Sequence, residues 1–306
     1  LALWYGAHKI GAVTAEAYTF LQPKDYAYYL EYTDARVVVV DETTRAAIES
    51  VAGGRQILVV DDAFRERLAA QPDELEAAPT AKDDIALWKF TTGSTGQPKG
   101  AVHPVHSPVL SHEWYARGVL GIREDDVVLP VPKLFFGYAR DLTALYPFGV
   151  GAAGIVFPER TTPERIFELI AEHRPTILVN VPTMMAQMID SVRHGRCQTP
   201  DMSCLRLCTS AGEALPRELH ERWLDTFGVE VLDGIGSSEL YHIYISNRPG
   251  RARPGSTGEL VPGYGAELGE NGELLVTGDT AALLYWGDEE KTERTFSGDT
   301  VRTGDL

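Results

Sequence analysis

Four consecutive valines, Val37 to Val40, constrain the fold more than any other run in the chain. β-Branched side chains lose rotamer freedom in a helix and pack well on a pleated surface. A continuous apolar run, as opposed to an alternating one, is expected of a strand covered on both faces. Arg36–Asp41 therefore reads as a buried strand, with a short helix over Thr43–Val51 and a second strand over Gln56–Asp61. The stretch Phe64–Thr80 is charged and alanine-rich and reads as surface, leading to a strand at Ile85–Phe90. The same rhythm returns later. Thr162 can cap a helix whose first position is Pro163, with Ile166, Phe167, Leu169 and Ile170 facing inward. Strands follow at Thr176–Val181 and Leu205–Thr209. Pro216 opens a helix with Leu215, Leu219, Trp223 and Phe227 on one stripe and Gly228 as its stop, and Val229–Leu232 is the next strand. Strand–helix alternation of this kind gives an α/β fold, with parallel sheets covered by helices. From Gly250 the texture changes to glycine-rich turns and short strands, as in a small β subdomain.

The chain has 306 residues, enough for roughly two domains or subdomains at about 150 residues each. Its 28 basic and 44 acidic residues give a net charge of −16 at pH 7. Such a field repels phosphate backbones and anionic lipid, so nucleic-acid and membrane partners are excluded as general binding targets. An anion can be held only by a local arrangement of cations and backbone N–H groups. The longest uncharged apolar run, about residues 147–158, is too short to cross a bilayer, and no signal-peptide pattern stands at the start. Cys197, Cys204 and Cys208 show neither disulfide-framework nor CxxC spacing, which suits free thiols in the cytoplasm. The chain opens within a helical pattern, residues 1–13, and stops directly after Thr303-Gly304-Asp305, so it reads as a fragment of a longer protein.

Four motifs carry chemistry. Thr91-Thr92-Gly93-Ser94-Thr95-Gly96-Gln97-Pro98-Lys99-Gly100 directly follows a strand. Glycines and hydroxyls in series make a loop whose N–H and O–H groups can wrap a polyphosphate, and Lys99 adds a cation. It is not a Walker A loop, which runs Gly-Lys-Ser/Thr into a helix. A Gly/Ser/Thr run alone is also compatible with a plain connection, and the Pro-Lys-Gly ending argues for the ligand. Asp233-Gly234-Ile235-Gly236-Ser237-Ser238-Glu239 follows another strand, where open α/β sheets bind ligands. There Ser238 suits a phosphate and Glu239 its Mg²⁺, although a lone Ser-Glu pair is more often the start of a helix. Ser210-Ala211-Gly212-Glu213-Ala214 ends a third strand, and the carboxylate of Arg302-Thr303-Gly304-Asp305 could take ribose hydroxyls.

In order and content these motifs resemble the adenylate-forming superfamily of acyl-CoA synthetases, luciferases and peptide-synthetase adenylation domains, over essentially the whole chain. Lys133–Tyr138 (KLFFGY), Cys208–Pro216 (CTSAGEALP), Asp233–Glu239, His242-Ile243, Ser246-Asn247-Arg248, Tyr285-Trp286 and Glu290-Lys291-Thr292 look like its benzoate-CoA ligase branch. The resemblance implies a large N-terminal domain of two helix-covered, largely parallel sheets, about 1–249, with a small β-barrel-like subdomain over 250–306. The small C-terminal domain, which in the family carries a further catalytic lysine, is absent from the chain.

It also implies a reaction. An aromatic carboxylate attacks the α-phosphate of ATP, and the thiol of coenzyme A then displaces AMP, with ATP, Mg²⁺ and coenzyme A as cofactors or co-substrates. By resemblance Thr92, Gly93, Ser94, Thr95, Gly96 and Lys99 hold the phosphates. Gly212, Glu213 and Ala214 flank adenine, Asp233 meets its amino group beside Gly234 and Ile235, and Asp305 takes the ribose. Ser238 and Glu239 face the α-phosphate and the metal, so that Lys99, Ser238 and Glu239 form the catalytic set. Phe136, Gly137, Tyr138, Ala211, Ile235 and His242 border the acid. Phe136, Tyr138 and Ile235 offer apolar surface and no charge where the ammonium of an amino acid would sit.

Three features depart from the family pattern. Ser238 stands where Thr is commoner, Ala139-Arg140-Asp141 replaces a glycine-rich stretch, and Gly263–Glu273 is shorter than usual. The alternatives are an aryl-acid adenylating domain that loads a carrier-protein thiol, and a non-catalytic nucleotide-binding remnant. A homodimer is a further expectation.

Overall fold

The computed structural model describes residues 1–91 and 97–306. Its centre is a seven-stranded sheet in the order Glu259–Leu260, Ile243–Ser246, Val231–Gly236, Leu207–Ser210, Ile177–Asn180, Val127–Pro130 and Ala153–Gly154. The last five of these strands are mutually parallel, and the first two run antiparallel at one edge. Alternate side chains go to opposite faces, and both faces are covered. Leu129, Leu178, Cys208 and Val231 pack with Ile170, Met188, Trp223 and Phe227, which come from the helices Pro163–His173, Pro182–Arg193 and Arg217–Phe227. On the other face Val128, Ile177, Val179, Leu207 and Leu232 pack with Tyr115, Leu142, Tyr146 and Tyr244.

Local signals placed these elements. Thr162 accepts from Arg165 N to start the helix Pro163–His173, and Gly228 ends Arg217–Phe227 at φ 66°. Asp41 accepts from the N–H groups of Thr43 and Thr44 at the head of the helix Glu42–Glu49. The helix Ala2–Lys9 lies within the opening pattern, and a helix Asp62–Ala69 starts the charged stretch.

Two expectations need correction. Among the described residues Val37–Val40 pairs only with Gln56–Val59, in a two-stranded parallel sheet. Its inward residues Val38 and Val40 meet the helix Glu42–Glu49 through Ile48, while Val37 and Val39 remain 46% and 48% exposed. The valine run is thus covered on one face, because among the described residues only one helix-bearing layer reaches it. The strand expected at Val229–Leu232 runs over Val231–Gly236, so Asp233-Gly234-Ile235-Gly236 lies within the strand and not after it. The glycines permit this. A Cβ at Gly236 would stand 2.4 Å from the carbonyl oxygen of His242, and one at Gly234 2.9 Å from that of Ile245. Glycine here serves the close approach of a returning strand.

A second, mixed sheet orders Thr14–Ala15, Ile85–Thr91, Lys99–Pro104 and Leu284–Tyr285. A third, antiparallel sheet orders Gly265–Leu268, Leu274–Thr277, Thr300–Arg302 and Phe296–Ser297. The segment after Gly250 is therefore shared among three sheets: Glu259–Leu260 joins the central one and Leu284–Tyr285 the second.

Asp126 fastens the root of the central sheet. Its buried carboxylate accepts from Thr176 Oγ1 (2.6 Å), Arg206 Nε (2.8 Å) and Nη2 (2.7 Å), and the N–H of Arg123 (3.0 Å). Burial raises its pKa, and these donors outweigh burial and hold it below the usual carboxylate range. Removing the carboxylate strands Arg206 and Thr176. Asp126→Ala is expected to cost ~3 kcal/mol, read as a lower urea midpoint at unchanged m-value, with Asp126→Asn in between.

Candidate active site

In parallel strands all carboxyl ends point the same way, so the loops after Val127–Pro130, Leu207–Ser210 and Val231–Gly236 gather at one edge of the central sheet. A cavity of about 340 Å³ opens there, within the range of small-ligand pockets. One wall is aromatic, from Tyr18, Phe135, Phe136 and Tyr138. Gly236-Ser237-Ser238-Glu239, Tyr241, His242, Ile243, Ala211 and Gly212 also line the cavity.

Of the acid-site residues expected from sequence, Phe136, Gly137, Tyr138, Ala211 and His242 line this cavity, together with Gly212, Ser238 and Glu239. Ile235 does not; it is partly buried against the hydrophobic core and pairs with Ile245. Glu213 faces a neighbouring cavity of about 340 Å³, separated from the first by Phe136, where it accepts from Thr183 Oγ1 at 2.6 Å. Ala214 is exposed beside it. Asp305 is exposed away from both cavities and accepts from the hydroxyl of Tyr244 at 3.3 Å. Thr92, Gly93, Ser94, Thr95 and Gly96 lie outside the described residues.

The segment at the far end of that loop is clamped. Tyr28 donates to Pro98 O (2.7 Å), and Tyr32 OH accepts from the N–H of Gly100 (3.2 Å) while donating to Trp286 O (2.5 Å). Gly100 packs so closely that a Cβ would meet the Trp88 and Tyr32 rings at 3.3 Å. Lys99 is buried in the strand that starts there, and among the described residues its Nζ has no hydrogen-bond partner. It lies 5.9 Å from the centroid of the Tyr285 ring, whose hydroxyl donates to Glu239 Oε1 at 2.6 Å. A buried ammonium without a partner is costly, so this place fits an anionic ligand.

The turn that carries Ser238 and Glu239 is held from behind. His103 is fully buried, and burial pushes it down to about 3, so it is neutral and donates Nε2–H to Ser238 O at 2.6 Å. Ala282 N donates to Glu239 O at 2.7 Å. His242, also pushed down to about 3 by burial, packs among the rings of Tyr115, Tyr138 and Tyr146 and donates to Tyr138 O at 3.3 Å. The Tyr138 hydroxyl is pinned by Thr209 Oγ1 at 2.6 Å, leaving its ring as cavity wall. Asp233, buried beside Ser210, has its carboxyl pushed up to about 6 by burial, and its Oδ1 has no partner among the described residues. Among those residues no three His, Cys, Asp or Glu side chains form a metal cage. Glu239 lines the cavity next to Ser238, which fits a Mg²⁺ held jointly with phosphate oxygens.

The cavity carries charge beyond Glu239. Lys89 and Glu16 line it, and neither was singled out in the sequence. Lys89 Nζ donates to Asp141 Oδ2 (2.6 Å) and Tyr241 O (2.5 Å), and Arg140 donates to Asp141 Oδ1 (2.8 Å) and Glu16 Oε1 (2.5 Å). Burial lowers Lys89 to about 8 against the pull of Asp141, and the two cations hold Asp141 at about 2 despite burial. One signal was available: a lysine inside the apolar strand Ile85–Thr91 has to find a partner. Nothing local names that partner, 52 residues away.

The family model for AMP-binding enzymes matches residues 1–286. The chain is 42% identical to the benzoate–CoA ligase of Thauera aromatica, covering 98% of this chain and 60% of that protein. It is 37% identical to the 4-hydroxybenzoate–CoA/benzoate–CoA ligase of Rhodopseudomonas palustris, covering 99% and 59%. Among solved structures it superposes on a benzoate CoA ligase from Burkholderia xenovorans LB400 with TM-score 0.91 at 39% identity, covering 98% of this chain and 63% of the other. An anthranilate CoA ligase, AuaEII, in complex with anthranoyl-AMP gives TM-score 0.93 at 36% identity, covering 98% and 61%. The chain thus spans about 60% of the length of the relatives it matches.

The two buried histidines make the site acid-sensitive. Their folded values near 3 lie below the unfolded value of 6.5, so their contribution is present above pH 6.5 and is lost as pH falls towards 3. Between pH 7 and pH 5 each is expected to cost about 2 kcal/mol of stability. Urea unfolding at the two pH values measures the loss, and His103→Gln, which keeps a donor to Ser238 O, should remove about half of it.

Proposed function

We propose that this chain, which belongs to the AMP-binding enzyme family, is the acid- and nucleotide-binding part of an enzyme that activates an aromatic carboxylic acid with ATP and passes the acyl group to coenzyme A. The observation that carries this reading is the shared cavity. Phe136 and Tyr138 line one cavity with Ser238 and Glu239, and Lys99, buried without a partner among the described residues, lies 5.9 Å from the ring of the tyrosine that holds Glu239. The names of the relatives support an aryl acid in particular, since benzoate, 4-hydroxybenzoate and anthranilate appear among them.

In this reading the substrate carboxylate oxygen forms a bond to the α-phosphorus of ATP. The bond from that phosphorus to the bridging oxygen breaks, and pyrophosphate leaves. The coenzyme A sulfur then attacks the acyl carbon, and AMP departs with the electron pair of the cleaved C–O bond. An anion is brought to a polyanion within a chain of charge −16, so local cations and donors must offset the repulsion. Lys99 supplies one cation and the Ser238 hydroxyl a hydrogen bond to the α-phosphate. Glu239 would hold Mg²⁺, which when bound neutralises phosphate charge. Asp233, whose carboxylate oxygen is buried without a donor among the described residues, takes the adenine amino group at the strand end it shares with Gly234. Gly212, Glu213 and Ala214 flank the adenine ring, and Asp305 takes the ribose. Residues 1–249 carry most of the α/β part, and within 250–306 the strands Gly265–Leu268, Leu274–Thr277, Phe296–Ser297 and Thr300–Arg302 form the β subdomain. Three free thiols, Cys208 buried among them, suit a cytoplasmic enzyme.

The test is pyrophosphate release and CoA-thioester formation, read separately, by the full-length protein. Benzoates should exceed the matching α-amino acids by at least ~10²-fold in kcat/KM, because Phe136, Gly137 and Tyr138, which border the acid in this reading, carry no charge to pair a buried α-ammonium. Glu239→Gln should lower adenylation at limiting Mg²⁺ by about 10²-fold, and Lys99→Ala should chiefly raise KM for ATP. A preference for phenylalanine or a fatty acid would overturn the aryl assignment. Pyrophosphate release without thioester formation on free coenzyme A would overturn the acceptor.

A further inference from the structure

Part of the cavity lining has chemistry that a plain benzoate does not need. Two cations, Lys89 and Arg140, and two anions, Asp141 and Glu16, are interleaved there, so the group is neutral overall. Asp141 is satisfied on both oxygens, by Lys89 and by Arg140. Glu16 takes Trp4 Nε1 (2.6 Å) and Arg140 Nη1 (2.5 Å) on the same oxygen, Oε1, and its other oxygen accepts nothing among the described residues. Lys89 has three N–H donors, of which two are used, on Asp141 Oδ2 and Tyr241 O. Tyr241 is a non-glycine residue at φ 72°, a conformation that turns its carbonyl to the lysine and persists only where surroundings enforce it. Room for the ammonium comes from Gly137, where a Cβ would stand 3.1 Å from Nζ. Glycine, lysine, aspartate and the strained tyrosine therefore form one arrangement, and both Lys89 and Glu16 reach the cavity surface.

We propose that Lys89 and Glu16 are specificity-determining residues that select aromatic acids bearing a ring hydroxyl. The inference rests on the aryl-acid reading above and names the substrate class within it. The charge balance decides which substituent fits. A second carboxylate would add an uncompensated anion to a group already neutral. A bare ring or a methyl would press apolar surface on a spare N–H and a spare carboxylate oxygen, which is costly for both. A hydroxyl is at once acceptor and donor, so it can accept from Lys89 and donate to Glu16.

The experiment is pyrophosphate release by the full-length protein with benzoate, 3- and 4-hydroxybenzoate, the two matching methylbenzoates and terephthalate. One hydroxybenzoate should exceed benzoate, its methyl analogue and terephthalate by at least ~10-fold in kcat/KM. In Lys89→Met, which leaves Asp141 paired with Arg140, the hydroxyl-to-methyl ratio should fall by about 10-fold. Gly137→Ala, which displaces the ammonium without removing it, should move the ratio the same way and guards against misfolding of the first variant. Wild-type protein that prefers benzoate or a methylbenzoate overturns the inference, as does a ratio unmoved in both variants. Absence of pyrophosphate release with every aromatic acid would instead overturn the aryl-activation reading, on which this one depends.

Discussion

Parallel pairing of five central strands is the constraint on which the rest depends. Parallel strands need covering on both faces, and their carboxyl ends all lie at one edge. The first condition produces the two apolar layers that sandwich Leu178 and Val179 on opposite faces. The second brings Phe136, Ala211 and Ser238 to a common cavity although they are far apart in the chain. The antiparallel return of Ile243–Ser246 then closes one wall, and its contact with Gly234 and Gly236 leaves no space for any other side chain.

The cavity sits in a strongly acidic protein, whose two buried lysines meet that field differently. Lys89 is enclosed by Asp141, the Tyr241 carbonyl and the Tyr241 ring, at 3.6 Å from its centroid. Its charge is matched within the fold. Lys99 has no hydrogen-bond partner among the described residues.

Rigidity around the Ser238–Glu239 turn comes from separate parts of the chain. His103 holds the turn from the second sheet, and Tyr285, in a strand of that same sheet, fixes the Glu239 carboxylate. Neutral histidine suits this task because its burial costs less than that of an imidazolium and it still supplies one donor. Tyr28 and Tyr32, on the helix Pro23–Thr33, clamp residues 98–100 and so fix where the phosphate-loop sequence re-enters the sheet.

Much of this was legible in the sequence, because it is written in local chemistry. Thr162 and Asp41 cap their helices, Gly228 ends one, and alternating elements imply helix-covered parallel strands, each through interactions within a few residues. The motifs around Ser210, Asp233 and Ser238 likewise announced a ligand edge by their place after apolar strands. What the chain could not declare locally was pairing at a distance. The valine run looked doubly covered, yet which layers reach a strand is settled by packing, and one of its faces is open. Asp233-Gly234-Ile235-Gly236 looked like a loop, yet the approach of Ile243–Ser246 makes it strand. Lys89 stood out only as a charge in an apolar strand. Its union with Asp141, Arg140 and Glu16 exists because the fold joins residues 52, 51 and 73 positions away at one buried point, where a low dielectric leaves no charge unmatched without cost.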